Sequence, residues 1–304
     1  MKLLDLYQSD ASKEIPAVSH EGADTGLSES IQGGRIGDLL MVRGLLDDKD
    51  IEDILGCQKE RGLRFGEAAV RLRRIKQRDV EQVLARQYAC PYPQPNEFAA
   101  ELVAAYHPGH RVVDTFRMQR SMLLQRWFHA EPRALAIVSP NIGEGRSFMI
   151  ANLAVLFAQL GRETLLIDAD LRRSRQHEIF RVDNQCGLSS VLSDRMRNER
   201  VHRLSSLANL AVLPAGPLPP NPLDLFSRDR FATLLQELKR RFQVILIDTP
   251  AGAKHADAHV ISSVCRGALV VTRVQRTRLA EAQTLIERLK QAKVDVLGAV
   301  LNRV

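Results

Sequence analysis

Residues 134–147 read Ala-Leu-Ala-Ile-Val-Ser-Pro-Asn-Ile-Gly-Glu-Gly-Arg-Ser, an apolar run entering a turn of small and polar residues, and an amphipathic segment from Phe148 to Leu160 follows directly. Strand, glycine-bearing turn and helix, in that order, aim several backbone N–H groups and the positive end of a helix at one point. That point suits a phosphate, and Ser147 places a hydroxyl where it can hold Mg²⁺. The stretch departs twice from the phosphate-loop rule G-x-x-x-x-G-K-[ST]: Pro140 stands at the first glycine and Arg146 at the lysine. Alone, the loop fits an ordinary strand-to-helix turn equally well.

Two later segments decide the matter. Leu165-Leu-Ile-Asp168-Ala-Asp170-Leu-Arg172 ends a strand on two carboxylates, and side chains two residues apart share a face. Val244-Ile-Leu-Ile-Asp248-Thr-Pro250 is an apolar strand ending in a carboxylate, the Walker B arrangement. One aspartate at a strand end is commonly a helix cap. Three, in order behind a phosphate loop, point to a nucleotide site. Strand-like runs at Leu135–Val138, Thr164–Ile167, Leu210–Leu213, Val244–Ile247, Ala268–Thr272 and Val296–Leu301 alternate with helical segments. The expected fold is α/β: a P-loop NTPase with a mainly parallel sheet flanked by helices, preceded by a small all-α domain.

Ahead of this domain lies an internal repeat. Arg35-Ile36-Gly37, Ile51 and Gln58 recur 29 residues later as Arg64-Phe65-Gly66, Val80 and Gln87. Each copy reads as a short helix, a turn and a longer helix. The expected organisation is a flexible tail at 1–33, a helical tandem-repeat domain at 34–90, a Pro-rich linker at 91–111 and the nucleotide domain at 112–304.

Composition sets the outer limits. The chain has 304 residues, 45% hydrophobic and 26% charged, which excludes a fibrous or wholly disordered protein. No apolar run approaches the ~18 residues of a membrane span, and the charged opening is not expected to be a signal peptide. Four cysteines stand far apart with no CxxC pair, which suits a reducing cytosol. A net charge of +7 favours an anionic partner without choosing one.

The phosphate loop, the hhhDxDxR segment and the hhhDTP segment resemble those of the bacterial tyrosine kinases (BY-kinases) of polysaccharide export, relatives of the ParA/MinD ATPases. The resemblance spans about residues 112–304 and includes Leu213-Pro-Ala-Gly-Pro-Leu-Pro-Pro-Asn-Pro and Val300-Leu-Asn-Arg-Val. It implies an ATP-dependent protein-tyrosine kinase that regulates exopolysaccharide polymerisation, chain length and export. ATP would lie on Asn141, Ile142, Gly143, Glu144, Gly145, Arg146, Ser147 and Phe148, with Asn302 at the adenine. Mg²⁺ would be handled by Ser147, Asp168 and Asp248. Arg146, Asp168, Asp170 and Arg172 would serve phosphoryl transfer, and Asp168 or Asp170 would orient or deprotonate a tyrosine hydroxyl. Asp114, Arg117 and Arg120 stand where the family carries E-x-x-R-x-x-R for assembling a ring.

The resemblance also implies a membrane chain-length-determinant partner (a polysaccharide co-polymerase), which would recruit a cytoplasmic kinase to the inner face of the membrane; no nucleic-acid partner is expected. The sequence ends at Val304 without the tyrosine-rich tail usual in these kinases. Its tyrosines are Tyr7, Tyr88, Tyr92 and Tyr106, so tail autophosphorylation is not expected.

The repeat resembles the N-terminal domain of type II secretion ATPases, some of which bind cyclic di-GMP. That implies ligand contacts at Arg35, Ile36, Gly37, Arg64, Phe65 and Gly66; a protein-docking module is the competing reading. For the whole chain, the competing reading is a ParA/MinD-like ATPase or catalytically weak nucleotide switch that acts by nucleotide-dependent assembly.

Overall fold

The structure is a computed structural model and describes residues 36–76, 79–80, 83, 93–194, 201–227, 229–253 and 255–303. The expected tail, Arg35, Gln87 and the tyrosines Tyr7, Tyr88 and Tyr92 lie outside the described residues. The chain divides into two units, one to Ala89 and one from Cys90 to Arg303.

The first unit contains helices α1 (Ile36–Val42), α2 (Asp48–Arg61) and α3 (Phe65–Arg71). Asp47 and Asp50 start α2 by exchanging hydrogen bonds: the Asp47 carboxylate accepts from the Asp50 N–H at 2.7 Å, and the Asp50 carboxylate accepts from the Asp47 N–H at 3.3 Å. Leu40, Leu46, Ile54, Ala68, Ala69, Ile75, Val80 and Val83 form the core. The 29-residue repeat has a direct structural counterpart. After α1 the backbone turns through Gly44 at φ 66°, and after α3 it turns through Arg73 at φ 56°. A left-handed residue with a side chain costs roughly 1–2 kcal/mol, so the second copy keeps the turn against its own chemistry. A Cβ on Gly37 would lie 3.3 Å from Ile51 Cδ1, and one on Gly66 would lie 2.7 Å from Val80 Cγ1. The same glycine-to-aliphatic approach is made in both copies.

The second unit runs through α4 (Val103–Tyr106), α5 (Arg111–Arg126), β1 (Arg133–Val138), α6 (Arg146–Gln159), β2 (Thr164–Asp168), α7 (Gln176–Phe180), α8 (Leu188–Leu192), β3 (His202–Leu204) and β4 (Leu207–Leu213). It continues with α9 (Pro222–Phe226), α10 (Asp229–Lys239), β5 (Val244–Asp248), α11 (Asp257–Cys265), β6 (Gly267–Arg273), α12 (Leu279–Gln291) and β7 (Asp295–Asn302). The sheet order is β3-β4-β2-β5-β1-β6-β7. Every pairing is parallel except β3 with β4. Separate apolar clusters cover the two faces, so the inner strands are wholly buried and read as unbroken apolar runs rather than alternations.

Three differences from the sequence expectation have physical causes. The antiparallel β3 was not anticipated, because three residues are too few to show a period. Helix α6 begins at Arg146, not Phe148, because the loop's last glycine serves as its cap. The stretch 91–111, expected as a linker, carries Phe98, Leu102, Val103, Ala104 and Ala105 into the core beside α6. Asn152, fully buried on α6, holds it there: its Oδ1 accepts from the Ala104 N–H at 2.8 Å, and its Nδ2 donates to the Glu101 carbonyl at 3.0 Å.

Another close fit joins α5 to the sheet. The Trp127 indole N–H donates to the Ala134 carbonyl at 3.1 Å, and a Cβ on Gly267 would lie 2.3 Å from the indole.

Candidate functional site

Strands β2, β5 and β1 are neighbours, so their carboxyl ends bring Asp168, Asp248 and the 139–147 loop to one edge of the sheet. Open parallel sheets hold their ligands at such an edge. The loop turns through Gly143 at φ 77° and Gly145 at φ 96°. A side chain at either place would also meet a neighbouring side chain. A Cβ on Gly145 would lie 2.2 Å from Asn302 Nδ2, and one on Gly143 would lie 3.2 Å from the Arg276 guanidinium. The first amides of α6 have no helical acceptor and face the loop's interior, ready for phosphate oxygens.

The loop's own side chains brace it from outside. Glu144, fully buried, accepts from the Asn141 N–H at 2.9 Å and from the Thr277 hydroxyl. Asn141 Nδ2 donates to Glu281 at 2.7 Å, and Asn302 Nδ2 donates to the Glu144 carbonyl at 3.0 Å. Asn141, Glu144 and Asn302, expected as binding residues, therefore spend their side chains on the loop's shape. Phe148 packs its ring 5.9 Å from that of Phe116. Ile142 lines the cleft of about 360 Å³ above the loop together with Asp170, Arg173 and Arg175.

Arg146 is 6% exposed. Its Nε donates to the Thr249 carbonyl at 2.8 Å, and its Nη1 donates to the Ser139 hydroxyl and to the Asn141 carbonyl at 3.1 Å. Its Nη2 lies 3.7 Å from Asp170 Oδ2. Of five guanidinium donors, the pair on Nη2 is the one not committed to the Ser139, Asn141 or Thr249 oxygens.

Asp168 and Asp248 are fully buried and stand opposite each other in the β2–β5 register. Asp168 Oδ2 accepts from the Arg175 and Gln176 amides, each at 2.9 Å, and Oδ1 accepts from the Asp170 amide at 3.2 Å. Asp248 stands near the Ser147 hydroxyl, and its Oδ2 accepts from Gln176 Nε2 at 2.7 Å. Burial pushes the Asp168 carboxyl well above the usual carboxylate range, with the facing Asp248 adding to it. Burial raises Asp248 as well, against the pull of the Arg146 charge.

Among the described residues, Asp248 Oδ1 has no hydrogen-bond partner. A buried carboxylate oxygen left unpaired beside a serine hydroxyl and a second carboxylate is a hard oxygen set, and Mg²⁺ fits it. No cluster of three His, Cys, Asp or Glu stands ready to hold a metal among the described residues. The cation would share its shell with phosphate oxygens and water, as Mg²⁺ does.

Other expected residues are placed less simply. Arg172 does not line the cleft; its Nη2 lies 3.4 Å from both oxygens of Asp257, which is buried at the start of α11. A buried carboxylate 85 residues away takes the arginine the sequence assigned to phosphate. On α5, Arg117 pairs with Asp114 at 2.7 Å on the surface, but Arg120 turns inward and donates to the Leu156 carbonyl at 3.0 Å. Arg117 and Arg120 are both half-buried, and they differ in their partners, a surface carboxylate for one and a backbone carbonyl for the other. In the repeat unit, the approaches to Ile51 and Val80 account for Gly37 and Gly66; Ile36 and Phe65 pack on the core, and Arg64 is exposed. Gln176, Asp257, Thr277 and Glu281 were not found by sequence reasoning, since none belongs to a local motif.

Comparison with known proteins agrees with this geometry. A family model described as "ParA: NUBPL iron-transfer P-loop NTPase" matches residues 132–303. The chain is 38% identical over 201 residues to tyrosine-protein kinase YwqD of Bacillus subtilis, covering 66% of this chain and 85% of that one. It is 35% identical over 196 residues to the Staphylococcus aureus protein described as putative tyrosine-protein kinase CapB, covering 64% and 86%. The solved kinase domain of the Escherichia coli tyrosine kinase ETK superposes with a TM-score of 0.65 at 30% identity, over 70% of this chain and 83% of that one.

Proposed function

The chain belongs to the ParA family of P-loop NTPases and, within it, to the bacterial tyrosine-protein kinases, and from that footing we propose that it transfers the γ-phosphoryl group of ATP to tyrosine hydroxyls in the regulation of exopolysaccharide polymerisation, chain length and export. The observation that carries this reading is the pair of buried carboxylates, Asp168 and Asp248, held beside Ser147 at the foot of a phosphate loop.

Phosphoryl transfer asks mainly for positioning and for charge set in place beforehand. The loop amides and Arg146 hold the β- and γ-phosphates, the free Nη2 donors exchanging the Asp170 carboxylate for phosphate oxygen. Ser147, Asp168 and Asp248 would hold a Mg²⁺ ion, which would supply positive charge to offset that of the phosphates. Asp168 has three backbone amides on its oxygens, whereas Asp170 lines the cleft. That favours Asp170 as the group that orients the tyrosine hydroxyl and takes its proton. The phenolic oxygen bonds to the γ-phosphorus, the bond to the β–γ bridging oxygen breaks, and ADP leaves with that electron pair.

The finer readings belong to the same proposal. A membrane chain-length protein activates the kinase and brings it to the inner face of the membrane; no described helix is long and apolar enough to cross one. Copies assemble through the Asp114–Arg117 face of α5. The N-terminal unit is a regulatory module of the type II secretion kind that takes cyclic di-GMP or a protein, with Arg64 as its exposed cation.

The test is direct. Protein, Mg-ATP and candidate activator are incubated together and phosphorylated residues are mapped by mass spectrometry. Phosphotyrosine supports the kinase; ATP binding with no transfer leaves the assembly switch in its place.

A further inference from the structure

Gln176 belongs to none of the motifs that point to the nucleotide, yet it touches both metal-facing carboxylates. It is fully buried. Its backbone N–H donates to Asp168 Oδ2 at 2.9 Å, and its Nε2 donates to Asp248 Oδ2 at 2.7 Å and to the Ser147 carbonyl at 3.2 Å. Those two acceptors fix which end of the amide is nitrogen, because a flipped amide would set oxygen against a carboxylate and a carbonyl. Oε1 is thereby turned away from both. Among the described residues it has no partner, and neither has Asp248 Oδ1.

Two unpaired acceptors on hydrogen-bonded neighbours form one unmet demand. A buried acceptor left unpaired is costly, more so when it is ionised. A hydrated divalent cation meets both at once: it satisfies the carboxylate oxygen, and one of its water ligands offers a proton to the carboxamide. Mg²⁺ keeps several waters when it binds, so such a proton is on offer.

We propose that Gln176 is a positioning residue of the metal site, its Nε2 setting the Asp248 carboxylate and its Oε1 accepting from a water of the bound cation. The proposal rests on the nucleotide-site reading, and its test separates the two. Partners of this kind commonly change metal affinity by roughly 10–100-fold.

The experiment measures ADP affinity by calorimetry in EDTA and again in Mg²⁺, for wild type and Gln176→Met, which keeps the volume and removes both polar atoms. The expected result is metal-free ADP affinity within about twofold of wild type, with the gain in affinity on adding Mg²⁺ cut by at least about tenfold. Equal Mg²⁺ gains in both proteins would overturn the role of Gln176. Wild type that binds no ADP under either condition would sink the nucleotide site itself. Should Gln176→Met fail to fold, wild type carrying ¹⁵N in its glutamine side chains gives the answer. The ADP-bound protein should shift the Gln176 amide signal when Mg²⁺ is added, and an unmoved signal overturns the proposal.

Discussion

The Arg146 guanidinium reaches back under its own loop to lie 3.7 Å from the Asp170 carboxylate, with both side chains nearly sealed from solvent. The cation that should greet phosphate is already matched by an internal anion. On the proposed reading, ATP binding would exchange one anion for another rather than fill a bare positive site. Arg146→Ala leaves Asp170 buried without its cation, which typically costs about 3 kcal/mol or more, and removes the charge proposed to hold phosphate. It should lower the melting temperature and abolish most transfer. Arg146→Lys keeps a charge but lacks the fork that spans Thr249, Ser139 and Asn141, so it should keep part of the activity and of the stability. Melting curves and a tyrosine-transfer assay check both.

Gly145→Ala should fail for two separable reasons. The backbone there is left-handed, and the new methyl group would meet Asn302 Nδ2. Backbone strain of this kind costs about 1–3 kcal/mol. Adding Asn302→Ala relieves the collision and leaves the strain, so the double variant should recover part of the lost ATP affinity. Equal affinity in the single and double variants would show that Asn302 does not set the limit.

The two arginines of α5 should part company. Arg117→Ala strips a surface pair worth little to the fold, so the melting temperature should hold while assembly, read by light scattering, falls. Arg120→Ala removes a donor from the Leu156 carbonyl and should lower stability first. Loss of assembly from Arg120→Ala alone, at unchanged stability, would reverse these assignments.

Cys265 is buried, and desolvation pushes its thiol up to about 12. Its folded value exceeds its unfolded value, near 8.5. Below about pH 8.5 the thiol is neutral in both states and stability does not depend on it. Between there and about pH 12 the unfolded chain loses the proton first, so stability falls as pH rises. At pH 8 iodoacetamide should spare Cys265 in the native protein and label it after unfolding; Cys57 and Cys186, half-buried, should react sooner.

Much of the architecture was legible because it is local. Parallel strands buried on both faces leave apolar runs that can be counted, and the three strand-end aspartates fall where those runs stop. The 29-residue repeat was legible for the same reason, and the matching turns at Gly44 and Arg73 give it a backbone meaning. What escaped lies in long-range pairing. Arg172 was read beside the aspartates it follows, while the carboxylate that holds it is on α11. The partners that brace the loop, Thr277 and Glu281, come from beyond β6. Arg120 has the spacing of a displayed residue, yet a carbonyl near the C-terminal end of α6 takes one of its guanidinium nitrogens. Spacing gives a side chain its direction from the helix; its destination depends on what the fold brings near.

Trp127 is the chain's one tryptophan, packed against Gly267 at the base of the helix that carries Asp114 and Arg117. Its emission therefore has a single origin and needs no label. A rearrangement of the C-terminal end of that helix on the sheet would disturb this contact. The protein carries a native optical gauge at the joint between its sheet and the helix proposed to carry assembly.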